Sequence, residues 1–360
     1  MSPDRFHAAV ARIGPALLRS LAGLEHVERH LHPPAMARVR EPLGALADDL
    51  DEGRAELRRA RVPTELDAFA AALGAAGDHA YEALSRFVDP GGDIGRVLLG
   101  MHFHHRAEAV LYPLRRALPP VSRFFVEKAF ADRLDVLDPD PPSEGSGLHE
   151  TSGATSGRGG FSLYVPESVR EHEPLPLIVA LHGGSGHGGD FLWSWLREAR
   201  SRRCLLLAPT SQRSTWSLMG PDVDTPQLLR MIDFVGERWP LDRERMLLTG
   251  LSDGATFCLL SGLGEDSPFS ALAPASGVLH PMNFRNGNME RARGRRIYLV
   301  HGALDWMFPI QTARSAAQEL LEAGADLEFH EVEDLSHTYP REHNARILDW
   351  LGIGVESSTR

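Results

Sequence analysis

Apolar residues recur at helical spacing along the first 137 positions, and then the rhythm changes. Phe6, Val10, Ile13, Leu17, Leu21 and Leu24 mark one face of a helix, and Ser2-Pro3 supplies its opening signal. A second helix is predicted from Pro33-Pro34 through Met36, Val39, Leu43, Leu46 and Leu50, kinked at Pro42. A third follows Pro63-Thr64 through Leu66, Phe69, Leu73, Ala76, Leu84 and Phe87. A fourth follows Gly91-Gly92 with Ile94, Leu98, Met101, His105, Leu111 and Leu114, and a shorter fifth covers Phe124, Phe125, Ala129 and Phe130. None of this half reads as a strand. Short Pro/Gly connections between helices predict an antiparallel bundle of four or five.

Residues 138–147 combine proline, glycine, serine and acid without periodicity, which is linker composition. Beyond them short apolar runs predict strands at 161–165, 175–181, 204–208, 246–249, 297–300 and 327–332, with helical patterns near 191–201, 226–238, 253–263, 310–323 and 341–351. Alternating strand and helix requires crossover connections and hence a mainly parallel sheet. The expected organisation is a helical bundle over 1–137, a linker over 138–147 and an α/β domain over 148–360. In such a sheet ligands bind beyond the carboxyl ends of the strands, which confines the search for chemistry to the loops that follow each strand.

Three of those loops carry complementary groups. After the strand ending at Thr249 comes Gly250-Leu251-Ser252-Asp253-Gly254, opening a helix, a G-x-S-x-G turn that holds Ser252 in a strained conformation at the helix N-terminus. A hydroxyl needs a base to take its proton. His337 follows the last predicted strand, and Asp305 follows the one before it, giving the chain order serine, aspartate, histidine. An oxyanion needs donors: the amide of Asp253 is one candidate, and the glycine-rich run His182-Gly183-Gly184-Ser185-Gly186 offers the other at Gly184, with Ser185 next. Ser185, Trp216 and Trp306 are candidates to line a substrate pocket, and Trp193 and Trp195 lie in or beside the same loops.

Composition narrows the classes. A chain of 360 residues, 42% hydrophobic and 24% charged, is an ordinary globular composition too long for one core. Thirty-eight basic against forty-nine acidic residues leave −11, the wrong balance for a nucleic-acid binder. No apolar run is long enough to span a membrane, and no apolar run follows the charged start Met1-Ser2-Pro3-Asp4-Arg5, so no secretory signal and a cytoplasmic location are expected. Two cysteines, Cys204 and Cys258, lie in apolar runs and read as buried thiols.

The residues Leu181-His182-Gly183-Gly184, Gly250-Leu251-Ser252-Asp253-Gly254, His301-Gly302 with Asp305 and Pro309, and Ser336-His337 resemble the α/β-hydrolase superfamily. Within it they are similar to small serine esterases of the phospholipase/carboxylesterase and polyhydroxybutyrate-depolymerase kind. The resemblance covers roughly residues 148–352 and does not reach the helical half. It implies a sheet of about eight strands flanked by helices, and hydrolysis of a small-molecule ester of short to medium acyl chain through an acyl-serine intermediate. It implies no cofactor and no metal for that chemistry. Peptidase or amidase activity with the same triad is the alternative, and a non-catalytic binding protein on a relic hydrolase fold is a further one.

Other polar residues have plainer readings. His182 and His301 precede glycines at strand ends and are expected to order their loops; His330 and His343 fall within a strand and a helix. Asp334 is the rival acid. In the helical half His26, His30, His32, His102, His104 and His105 form a histidine set. His105 and Glu108 have His-x-x-Glu spacing, but Glu25, Glu28 and Glu108 show no partners at matching spacing, so no metal is expected. The bundle itself is expected to cover the cleft or to serve homo-oligomerisation.

Overall fold

A computed structural model describes residues 4–354 apart from 33, 35, 90–93 and 152–156. The expected helix openings at Ser2-Pro3, Pro33 and Gly91-Gly92, and the side chains of Val39 and Ile94, lie outside the described residues. Two compact units divide between Phe125 and Val126. Among the described residues no helix is long and apolar enough to cross a membrane.

The first unit is helical. α1 (Asp4–Arg29) runs through the whole first periodic stretch and buries Phe6, Ile13, Leu17, Leu21 and Leu24. Pro42 breaks the second predicted helix instead of kinking it, giving α2 (Met36–Arg40) and α3 (Leu43–Arg59). Proline lacks the amide that would continue the ladder, and its ring opposes the preceding turn. α4 (Asp67–Val88) buries Leu73, Ala76, Ala80, Leu84 and Phe87, and α5 (Ile94–Leu111) completes a bundle in which α1, α3, α4 and α5 pack on one another. Gly53 lets α3 and α1 approach closely, since a Cβ there would stand 3.0 Å from Ile13 Cα. The fifth predicted helix is instead split into α6 (Pro119–Phe124) and a single 3-10 turn over Lys128–Phe130, with the buried Phe125 and Val126 at the bend between them. Glu28 and Glu108, expected to lack partners, sit buried against His104 and His105. Spacing along one helix cannot reveal a pairing between α1 and α5.

The second unit starts earlier than the composition suggests. Residues 126–146, including α7 (Leu134–Leu137), fold against it: Glu127 pairs with Arg202, Asp138 with Arg200, and the Ser143 amide donates to the Glu167 carbonyl. Linker-like residues are thus tied down by buried charge pairs that their composition does not announce.

An eight-stranded sheet follows: β1 (Gly147–Glu150), β2 (Phe161–Val165), β3 (Leu175–Leu181), β4 (Leu205–Pro209), β5 (Leu241–Leu251), β6 (Ala271–Ala275), β7 (Arg296–Gly302) and β8 (Asp326–Val332). The spatial order is β1-β2-β4-β3-β5-β6-β7-β8, antiparallel from β1 to β4 and parallel from β4 to β8. This is the order of an α/β-hydrolase sheet. β1 and β6 have no strand-like sequence pattern. β6 is Ala-Leu-Ala-Pro-Ala, yet every residue is buried in mid-sheet between β5 and β7. Neighbouring strands and close helix packing impose the extended form on residues of low β propensity.

Crossovers are made by α8 (Gly188–Phe191), α9 (Leu196–Ser201), α10 (Asp224–Gly236), α11 (Asp253–Gly262), α12 (Met282–Arg285), α13 (Asn288–Arg291) and α14 (Ile310–Glu322), and α15 (His343–Trp350) follows the last strand. The core joins Leu177 and Val179 of β3, Leu205 and Leu207 of β4, and Leu248 of β5 with Phe257 and Leu259 of α11 and Ile232 of α10. Cys204 and Cys258 are both buried, and burial pushes the Cys204 thiol up to about 12.

Candidate active site

The turn from β5 into α11 is tight enough to exclude side chains at its flanks. A Cβ on Gly250 would lie 2.7 Å from the Gly254 carbonyl carbon, and one on Gly254 would collide with the Leu181 and His182 carbonyls. Ser252, between them, has φ 58 and ψ −118, a backbone conformation that L-residues rarely adopt. Its amide donates to the Ala275 carbonyl at 3.0 Å, so β6 helps hold the elbow.

The structure brings the three predicted groups together. His337 Nε2 lies 2.9 Å from Ser252 Oγ, and His337 Nδ1 lies 2.8 Å from Asp305 Oδ2. The other oxygen, Asp305 Oδ1, accepts the amides of Met307 (2.9 Å) and Phe308 (2.8 Å). Burial alone would push the Asp305 carboxyl up, but the bonds from His337 and the Phe308 amide outweigh it and hold it below its usual range. It therefore stays ionised. Asp334, the rival acid, does not take this position. Phe308 packs edge-on against the His337 ring, 5.3 Å between centroids, and limits its rotation.

His301 and His182 order loops. His301 Nε2 donates to the Phe308 carbonyl at 2.7 Å, closing the acid loop. His182 Nε2 accepts the Ser211 amide (3.0 Å), so Nδ1 carries the proton and donates to the Gly183 carbonyl (2.6 Å). Burial pushes the His182 imidazole down to about 4, and it stays neutral. His343 meets the Tyr298 hydroxyl at 3.1 Å, and His330 stacks on the same ring.

The glycine-rich loop lies beside the elbow. A Cβ on Gly183 would be 3.5 Å from Ser252 Cβ, and one on Gly184 only 2.7 Å from Asp253 Oδ2. Among the described residues the Gly184 amide has no backbone acceptor, and Asp253 opens α11, where an amide lacks an intrahelical partner. Ser185 differs: its amide is committed to the Ser214 carbonyl at 2.7 Å, which removes it as a donor in this arrangement.

Trp216 is not a pocket wall. It is buried, stacks on Phe257 at 5.3 Å, and donates its indole N–H to the His182 carbonyl at 2.7 Å. Its bulk suits the core better than solvent, and its one polar atom fixes the loop that carries Gly184. Trp193 and Trp195 are buried likewise, whereas Trp306 is 55% exposed next to Asp305. Two supporting residues escaped sequence reasoning. Thr215 donates to Asp253 Oδ2 at 2.6 Å, and Gly277 makes room for α11, since a Cβ there would lie 2.6 Å from Ala255 Cβ. Neither carries a motif, because each acts through a tertiary neighbour.

Residues 225–353 match the phospholipase/carboxylesterase family, a span that includes Ser252, Asp305 and His337 and excludes the glycine-rich loop. Among solved structures, a thermostable esterase is 21% identical with a TM-score of 0.47, the match covering 57% of this chain and 62% of that one. The fluorophosphonate-binding serine hydrolase FphF of Staphylococcus aureus is 17% identical with a TM-score of 0.45, covering 57% and 96%. A curated relative, the non-reducing polyketide synthase adrD of Penicillium rubens, is 22% identical over 233 residues, which are 58% of this chain and 9% of the synthase. By its strand order the second unit has the α/β-hydrolase fold, and over residues 225–353 it matches the phospholipase/carboxylesterase family, while the helical unit lies outside that match.

Proposed function

We propose that the chain is a serine hydrolase that cleaves carboxylic esters of short to medium acyl chain. The observation that carries this reading is the unbroken hydrogen-bond path from Ser252 Oγ through His337 to a carboxylate held by two backbone amides. Ser252 Oγ attacks the ester carbonyl carbon while His337 Nε2 takes its proton. The carbonyl π electrons move to oxygen, which the amides of Gly184 and Asp253 receive. Collapse expels the alcohol, protonated by His337, and leaves an acyl-serine. Water then enters by the same steps and releases the acid. Asp305 holds the imidazole in the tautomer whose Nε2 is the acceptor.

The exposed Trp306 and Met307 beside Asp305 offer a small apolar edge, suited to a short or medium acyl group. Ser252→Ala should abolish hydrolysis of p-nitrophenyl butyrate and labelling by a fluorophosphonate probe, with the far-UV spectrum unchanged. Substantial turnover in that variant would refute the assignment. A matched series of butyryl esters and aminoacyl amides decides the substrate class, and preference for amides would move the reading to a peptidase.

A further inference from the structure

The interior of the helical unit holds a group of titratable side chains that ester hydrolysis does not use. His104, His105 and Glu108 lie within one turn of α5, and Glu28 reaches His104 from α1. All four are buried: His104 is 0% exposed, Glu108 1%, His105 7% and Glu28 8%. One ligand atom from each of His104, His105 and Glu108 lies within 4.8 Å of the others.

We propose that this cluster is a binding site for one divalent transition cation of the zinc class, held by His104 Nε2, His105 Nδ1 and Glu108 Oε2. The distances fit such an ion. His105 Nδ1 stands 3.1 Å from Glu108 Oε2, and His104 Nε2 stands 4.0 Å from the same oxygen. Ligand atoms about 2.1 Å from a tetrahedral zinc are separated by roughly 3.4 Å, so the three atoms bracket the required spacing. The side-chain directions point the same way. Neighbouring residues on a helix diverge around its axis, yet the rings of His104 and His105 stand 5.2 Å apart and only 19° from parallel. Both have turned toward Glu108.

Glu28 supplies the remaining feature. Its Oε1 lies 2.8 Å from His104 Nδ1, so that nitrogen carries the proton and Nε2 keeps its lone pair for the ion. A carboxylate behind a ligating histidine fixes the ring and raises its basicity. Glu28 is accordingly an orienting residue and not a ligand. Three protein ligands leave a fourth position for water, and the ion would link α5 to α1 through the His104–Glu28 bond.

The test uses the full chain, stripped with chelator and titrated with Zn2+ against a competing dye, and separately with Co2+ followed in the visible. The expected result is one equivalent bound, a d–d absorption band of a low-symmetry cobalt site, and a rise in the melting temperature of the helical unit. His105→Asn and Glu108→Gln should each weaken binding at least about tenfold. Glu28→Gln should weaken it by about 10- to 100-fold while keeping one equivalent. A double change of the surface pair, His26→Ala with His30→Ala, should leave affinity unchanged. No bound equivalent in the stripped parent chain overturns the proposal, as does retention of full affinity in His105→Asn or its loss only in the surface double variant. The parent chain's cobalt spectrum decides the matter even where Glu108→Gln fails to fold.

Discussion

Asp305 divides its two oxygens between partners: Oδ2 faces His337 Nδ1 at 2.8 Å, while Oδ1 is occupied by the Met307 and Phe308 amides. The backbone thus fixes the carboxylate before the histidine meets it, and only one oxygen is left to select the tautomer. Asp305→Asn keeps the shape and removes the charge. Its amide group can face Nδ1 as a donor, which puts the imidazole proton on Nε2 and leaves nothing to accept from Ser252. A fall in kcat of about 10⁴ with little change in KM is expected from that inversion, measured with a p-nitrophenyl ester between pH 6 and 9. A loss under tenfold would mean that Asp305 is not the orienting acid.

Trp216 tests the support of the oxyanion loop. Trp216→Phe preserves stacking on Phe257 but deletes the N–H that holds the His182 carbonyl. Losing a buried hydrogen bond costs about 1–2 kcal/mol, and if that cost falls on the transition state kcat should drop by roughly tenfold. KM should stay near the parent value. A fall in stability without any fall in kcat would show that Trp216 serves packing alone.

Glu198 sets a pH dependence of stability. It is buried, Asn344 Nδ2 donates to it at 3.3 Å, and burial raises its carboxyl to about 7. The folded chain therefore holds this proton more tightly than the unfolded chain does. The stabilising contribution is complete below about pH 4.5, where both states are protonated, and is lost as pH rises through 7. The loss amounts to roughly 3 kcal/mol. Urea unfolding at pH 5 and pH 8 should show Glu198→Gln abolishing most of this difference. Parallel pH slopes for parent and variant would count against it.

The start of the second unit can be located by truncation. A chain beginning at Val126 keeps Glu127 on Arg202 and Asp138 on Arg200, two guanidiniums that are almost wholly buried. One beginning at Gly147 loses both carboxylates and should be less stable by roughly 3 kcal/mol or more. Denaturant midpoints of the two chains give the comparison, and equal midpoints would mean that residues 126–146 contribute nothing. The same Val126 chain, assayed for acyl-chain selectivity and for mass in solution, separates a covering role of the helical unit from an associating one.

Much of the candidate site was legible in the sequence because its chemistry sits at strand ends, where local pattern and function coincide. Gly250 and Gly254 around Ser252, and the order Ser252, Asp305, His337, follow from a turn and a topology that short-range residue types specify. The periodicity of Phe6, Ile13, Leu17 and Leu21 likewise needed only one helix to be read. By itself, then, the sequence determined the helical half, the alternating half and the chemistry-bearing loops. Tertiary structure alone decided that Ala271–Ala275 is a strand, that Trp216 lies inside with its N–H on a loop carbonyl, and that 126–146 belong to the second unit. It alone also decided that Glu28 meets His104 across 76 positions of chain. Each of these rests on a partner distant in sequence. Burial and pairing are properties of the neighbour as much as of the residue, so no window along the chain contains them.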